Sequence, residues 1–406
     1  MQIESWRRNL YIIAIAEFIV LLGFSLFLPF MPLYIQKIGG FGSKEAAFWT
    51  GIATGCAGLA MFISSPIWGI IADRWGRKPM LLRAQFGGAA VVALFIITPN
   101  IYFLVGFRLL QGLFTGTVAA ASALIAAMTP RNKLPLSMGI LMAAVFGGQT
   151  LGPLAGGFMA DKFGFTVTFI VTSCLLSAGG LIILFFVKEN FERPVKEQRT
   201  SISGLAKLAS SRDILPLLMV LSALSVGPQI VSPVLPLIIS GLNPAGEAAS
   251  ASGAAYALLG VIAAISSIVF GRFRGQWSTR TILAFCCLGT GLLYIPPIWA
   301  SSTTQLIVLI GITGLLSGGI ITSSNSLVSL SVPVARQGIA YGLSQSASSL
   351  GSGLGPFIGG GLAPFIGLRY VFAVTAGIFV MVGILCQKLI PQYRFRANAV
   401  EKETEG

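Results

Sequence analysis

The sequence predicts an all-α polytopic membrane protein: twelve transmembrane helices in two six-helix bundles related by a parallel pseudo-two-fold repeat. Three observations predict it. The 406 residues are 55% hydrophobic and only 10% charged, with a mean hydropathy of +0.85, whereas a soluble domain carries roughly 25% charged residues. Apolar stretches of about 18 residues or more, each enough to cross a ~30 Å hydrocarbon layer, recur along the whole chain. A string of glycine and proline, G-x-x-x-G-P-x-x-G-G, is written twice, at Gly148–Gly157 and at Gly351–Gly360.

The apolar spans fall near 10–35, 48–72, 79–98, 101–128, 136–160, 165–187, 213–239, 248–271, 280–299, 304–331, 337–363 and 369–388. They are continuous and glycine-rich, without the ten-residue alternation of a membrane barrel, so helices are expected. They leave no room for a sizeable soluble domain. The most polar internal segment, 188–212, separates six spans from six and reads as a cytoplasmic linker between bundles at 1–187 and 213–390, with a tail at 391–406.

The duplication runs beyond the opening string. Pro29-x-x-Pro32 in the first span recurs as Pro233-x-x-Pro236 in the seventh. "GLFTG" (Gly112 to Gly116) recurs as "GLLSG" (Gly314 to Gly318), Gly69 and Trp75 as Gly271 and Trp277, and Gly139 as Gly342. Six spans restore the original orientation, so the repeat axis lies along the membrane normal. Glycines four apart let helix backbones approach closely in lipid, where hydrophobic exclusion does not drive association. Pro153 and Pro356 remove a backbone hydrogen bond and bend the helix. Gly148, Gly152, Gly156 and Gly157, with Gly351, Gly355, Gly359 and Gly360, therefore suit either static packing or, given the repetition, a sliding contact between the halves.

The net charge of +14 follows topology. With the N-terminus placed inside, 22 of 27 Lys and Arg fall on the inner side, Arg7, Arg8, Arg77, Lys78 and Lys188 among them. Lys37, Lys44, Lys162 and Arg369 fall outside, and Arg108 lies within a span. This positive-inside pattern places both termini in the cytoplasm, in a cytoplasmic (inner) membrane. It argues against nucleic-acid binding and adds attraction to anionic inner-leaflet lipid. No cleaved signal peptide is evident in the first span. The five cysteines, Cys56, Cys174, Cys286, Cys287 and Cys386, lie in spans, with no metal spacing or disulfide framework.

At these motifs the chain resembles the major facilitator superfamily, and within it the twelve-span drug:proton antiporters, with bacterial multidrug exporters the nearest branch. "GIIADRWGRKPML" (Gly69 to Leu81) matches that superfamily's loop between spans two and three, "RLLQG" (Arg108 to Gly112) its span-four motif, and Gly148–Gly157 its antiporter signature. The resemblance covers roughly residues 6 to 390. It implies alternating access, export of lipophilic compounds against protons, no cofactor beyond the proton gradient, and a monomer. It also implies that Asp73 faces the start of span eleven, near Gln337 to Ile339, and latches the inner side. Gly69, Arg74, Gly76, Arg77 and Lys78 complete that latch. A charge at a helix end near hydrocarbon needs a partner, and Arg74, Arg77 and Lys78 are at hand; a helix N-terminus also attracts an anion. The second copy, "GRFRGQWSTR" (Gly271 to Arg280), has Gly275 in the acidic place, so the latch is expected on one side only.

An ionisable residue inside a span is a functional candidate. Glu17 lies ten residues past Arg7, so ~15 Å deep at ~1.5 Å per residue. Arg108 lies eight residues in from Asn100, about 12 Å from the other face by the same rise. The two are expected near one depth, as neighbours or water-linked, and Glu17 is the candidate proton carrier. Asp161 reads as a cap or loop residue at the outer end of span five.

In this fold spans one, four, seven and ten line the cavity. Phe24, Phe27, Phe30 and Tyr34 face Gln111, Phe114 and Thr115, with Ser222, Ser225 and Gln229 from span seven and Ser323, Ser324 and Asn325 from span ten. An aromatic side against a mildly polar side suits amphipathic compounds. There is no histidine, and Glu17 is the one deep carboxylate, so an enzyme or a metal site is not expected. A channel would not explain the repeat and the loop motif. Transport of a sugar, metabolite or lipid is the alternative cargo.

Overall fold

The computed structural model describes residues 2–130, 133–189, 215–243, 246–272, 278–330 and 337–389, without the side chains of residues 2–5, 73, 135, 329–330 and 337–342. The expected linker beyond Glu189, residues 273–277 of the second loop motif and the C-terminal tail lie outside the described residues.

The described residues fold into helices. In chain order these are α1 (Gln2–Phe27), α2 (Met31–Gly39), α3 (Ser43–Trp75), α4 (Arg77–Leu94), α5 (Ile101–Phe114), α6 (Thr117–Met128) and α7 (Leu134–Phe186). There follow α8 (Leu215–Val231), α9 (Leu235–Leu242), α10 (Ala248–Arg272), α11 (Thr279–Leu293), α12 (Thr303–Leu330), α13 (Gln337–Ile366) and α14 (Val371–Leu389). Among the described residues, ten helical segments are long and apolar enough to cross a membrane. One of them, Leu136–Phe186, runs for 51 residues, about 76 Å at ~1.5 Å per residue and more than twice a bilayer core. It bends at Gly164, where φ is 80° and ψ 168°, a conformation open to glycine and not to a residue with Cβ. Counting it as two crossings and adding the 30-residue α13, which is richer in Ser, Gly and Gln, gives twelve.

The repeated Pro-x-x-Pro explains two breaks. Pro29 sits in a 3₁₀ turn between α1 and α2, and α8 gives way to α9 just before Leu235. Proline lacks the N–H that would continue the helix.

Packing repeats with the sequence. A Cβ added at Gly156 would lie 2.0 Å from the Leu26 carbonyl oxygen, and one at Gly359 would lie 2.0 Å from that of Ile230. Gly152 abuts Ser25 and Leu22, and Gly355 abuts Gln229 and Val226. Gly112 meets the Ala57 carbonyl, Gly314 that of Leu259; Gly87 meets the Phe114 ring, Gly289 the Leu316 side chain. These pairs fix the register between copies: 204 residues for α1 onto α8, and 202 for α4 onto α11 and for α5 onto α12.

Candidate functional site

The side bearing Asn100 and Asp161 is called outer, after the charge asymmetry. The glycine string proves to have two faces. Gly148, Gly152 and Gly156 pack on α1 within the first bundle, and Gly351, Gly355 and Gly359 on α8 within the second. Only its other face crosses between bundles. Gly157 meets the Ala249 carbonyl of α10, and the Pro153 carbonyl meets Gly253. In the second copy Gly360 meets the Ala47 carbonyl of α3, and Pro356 meets Gly51. The expected contact between halves thus includes Pro153, Gly157, Pro356 and Gly360, with Gly353 against Gly58, while Gly148, Gly152 and Gly156 and their counterparts are intrabundle packing.

Two charged side chains close this seam at its outer end. Asp161 accepts hydrogen bonds from Ala249 N (3.3 Å) and Ser250 N (2.6 Å). Of the cap and loop roles expected for it, it therefore takes the cap, on α10 of the opposite bundle. Lys44 Nζ donates to the Pro364 carbonyl in the last turn of α13 (3.3 Å). An anion sits on a helix N-terminus and a cation near a C-terminus, so both contacts are favoured by the helix dipoles.

Glu17 is fully buried. Its Oε1 accepts from Gln85 Nε2 on α4 at 3.1 Å, and the Thr117 hydroxyl faces the same carboxyl. Its Oε2 has no hydrogen-bond partner, and neither does Gln85 Oε1. Thr117 comes from a break absent from the sequence reading: span four stops at Phe114 and restarts at Thr117, across Gly116 with φ 111°. That places the free N–H groups of the α6 N-terminus in the neighbourhood of the carboxyl, which favours negative charge. The matching span in the second bundle, α12, is unbroken.

Arg108 is also buried. Its Nη1 donates to Gln111 Oε1, one turn on, at 2.5 Å, and its Nε has no partner. Glu17 and Arg108 form no ion pair among the described residues: each buried charge faces a neutral glutamine amide instead.

The other expected site residues fall in varied places. Phe27 lies among Phe95 and Phe169, edge-on to both, and is 1% exposed; Phe30 is equally enclosed, and Phe24 packs over Gly88. Phe24 and Phe27 lie in the interior of the first bundle, whereas Phe30 packs with Ala160 and with Ala249 of the second bundle. Tyr34 donates to the Phe95 carbonyl. Phe114 is half-buried and Gln111 buried. Gln229 is half-buried with its Cβ against Gly355, and Asn325 is exposed.

At the inner loop, Gly76 alone joins α3 to α4, with φ 99°. Gly69 is exposed with open space around it, and Arg74 is exposed. Lys78 Nζ donates to the carbonyls of Leu184 (2.8 Å) and Val187 (2.6 Å) at the C-terminus of α7. Glu189, which sequence reasoning passed over, accepts from Arg77 N and Lys78 N, each at 2.9 Å, and caps α4. The described part of this loop is thus tied to the end of α7; the Asp73 side chain and its expected partner near Gln337 lie outside the described side chains. Arg83, on α4, lays its guanidinium 3.7 Å from the Trp68 ring centroid, a cation–π contact.

A profile of the Major Facilitator Superfamily matches residues 13–304 and 229–405. The chain is 34% identical over 381 residues to "Multidrug resistance protein MdtG" of Dickeya zeae (strain Ech586), covering 93% of each. It is 32% identical over 385 residues to "Multi-drug resistance efflux pump PmrA homolog" of Lactococcus lactis subsp. lactis (strain IL1403), covering 94% of each. Among solved structures, a bacterial homolog of the human lysosomal transporter Spinster, inward-facing and occupied, superposes with a TM-score of 0.75 at 13% identity, over 94% of this chain and 96% of that one. The chain belongs to the major facilitator superfamily, as a multi-pass membrane transporter of its multidrug-exporter-like kind.

Proposed function

We propose that this transporter exports lipophilic or amphipathic compounds in exchange for protons, rocking its bundles, 1–187 and 213–390, about the glycine seam. The observation that carries the proposal is Glu17, a fully buried carboxyl with no cationic partner and one free oxygen. A permanently charged group in that position costs several kcal/mol unless paired; a group that takes up and gives back a proton needs neutral partners that serve both forms. Arg108, buried beside Gln111, shapes the field around the path. The relatives named for multidrug resistance support the cargo class.

Rocking requires contacts that separate. The crossing face of Pro153, Gly157, Pro356 and Gly360 sets backbone against backbone, with the Phe357 ring over Gly55 and Thr150 over Gly260 beside it. Asp161 and Lys44 hold the outer ends together in this conformation and must release when the outer side opens. The protein works in the cytoplasmic membrane with both termini inside, as a monomer, driven by the proton gradient without another cofactor.

The test is export of a lipophilic cationic dye and a neutral one from proteoliposomes under an imposed pH gradient. Gradient-driven export of either dye by the wild type, lost in Glu17→Gln, is the expected result. Export undiminished in Glu17→Gln would remove Glu17 as the carrier. No dye export at all would redirect the cargo to sugars, metabolites or lipids.

A further inference from the structure

Gln85 plays no part in the motifs of this chain, yet it is the side chain that binds the buried carboxyl. It is itself 0% exposed, and its Nε2 donates to Glu17 Oε1 at 3.1 Å from a different helix. The groups facing Glu17 are this amide from α4, the Thr117 hydroxyl from α6 and the wall of α7 at Gly179, where an added Cβ would lie 3.3 Å from the Ala16 carbonyl oxygen and 3.9 Å from Gln85 Cδ. Among the described residues no charged side chain contacts the carboxyl. One oxygen is therefore committed and the other is not.

The repeat supplies an internal control. With the register of 204 for α1 and 202 for α4, Glu17 corresponds to Leu221 and Gln85 to Cys287. Both are buried. The scaffold therefore holds together at these positions with apolar side chains. A fully buried primary amide left incompletely paired carries a desolvation cost, and Gln85 Oε1 is left so. Packing alone does not account for it.

We infer that Gln85 is a positioning residue for proton exchange: its N–H fixes Glu17 Oε1, so that the proton is taken up and released at Oε2. The amide N–H serves both states. It donates to a carboxylate oxygen when Glu17 is charged and to the carbonyl oxygen of the acid when Glu17 is neutral. The carboxyl then changes charge without losing its orientation. This rests on Glu17 being the proton carrier.

The test is infrared difference spectroscopy of the full-length protein in liposomes, titrated from alkaline to acid. The wild type should develop a carboxylic-acid C=O band that Glu17→Gln lacks. In Gln85→Met, which keeps length and apolar packing, the band should move to higher frequency as its hydrogen bond is lost. In the same variant the pH profile of dye export should move by about tenfold in proton concentration, the worth of one hydrogen bond to a charged group. Absence of a Glu17 band in the wild type would sink the proton-carrier reading. A Glu17 band unmoved in Gln85→Met would overturn the role of Gln85 alone. Should Gln85→Met not fold, solid-state NMR on the wild type decides: dephasing of the Glu17 carboxyl ¹³C by Gln ¹⁵N at both pH extremes is expected, and its absence at either extreme would contradict the inference.

Discussion

Positions 17, 85, 108 and 111 of the first bundle hold Glu, Gln, Arg and Gln; at the register of the repeat the second bundle holds Leu221, Cys287, Ile310 and Thr313. All eight are buried. The helices around them agree closely: the same glycines meet the same partner backbones in both copies. They part where the first bundle interrupts its fourth crossing at Gly116 and the second runs straight through Gly318. The scaffold is symmetric, and the ionisable chemistry with its backbone break belongs to one copy. On the proposed antiport function, the second bundle serves as a moving wall and the first as the seat of coupling.

Substitutions can break this comparison in order of expected effect. Glu17→Gln should reduce gradient-driven export to background while the protein stays folded by size exclusion; Leu221→Gln, its counterpart, should leave export in place. The scaffold should answer the other way. Gly156→Ala and Gly359→Ala each drive a Cβ to 2.0 Å from a carbonyl oxygen, so both should lose on the order of 1–3 kcal/mol by overpacking, seen as matched falls in thermal midpoint. A large loss at one and none at the other would deny the symmetry. Gly116→Ala meets no steric obstacle but must hold the positive φ that Gly116 adopts, at a cost of about 1–2 kcal/mol. It should impair export more than it lowers the thermal midpoint, because it strains the turn that presents Thr117. Asp161→Asn weakens the outer seam by about 0.3–2 kcal/mol, at most roughly a 30-fold shift in populations, and should raise labelling of outer-side cysteines introduced in the seam. Lys44→Met should do the same more weakly, since that contact is exposed.

Much of this was legible in the sequence, for stated reasons. Crossings announce themselves by length and apolarity, and the duplicated strings mark the repeat. Glu17 and Arg108 stand out because charges in apolar spans are rare. Glycine spacing reveals a smooth helix face but not which neighbour covers it, so the intrabundle row and the crossing face could not be separated. "GLFTG" and "GLLSG" read alike, yet only the first breaks, because tertiary context decides whether Gly116 stays helical. Gln85 is one uncharged amide in a long span, and its meaning arises 68 residues away at Glu17. Glu189 and Lys78 likewise meet only through the fold. Phe24 and Phe27 show the opposite error: aromatic content on a cavity-lining span does not tell which rings turn inward to their own bundle.

The most direct measurement is proton release from purified transporter on adding a transported dye, compared across wild type, Glu17→Gln and Leu221→Gln. Coupling seated in one copy predicts release from the wild type and from Leu221→Gln, and none from Glu17→Gln. Release that persists in Glu17→Gln, or disappears equally in Leu221→Gln, would contradict it.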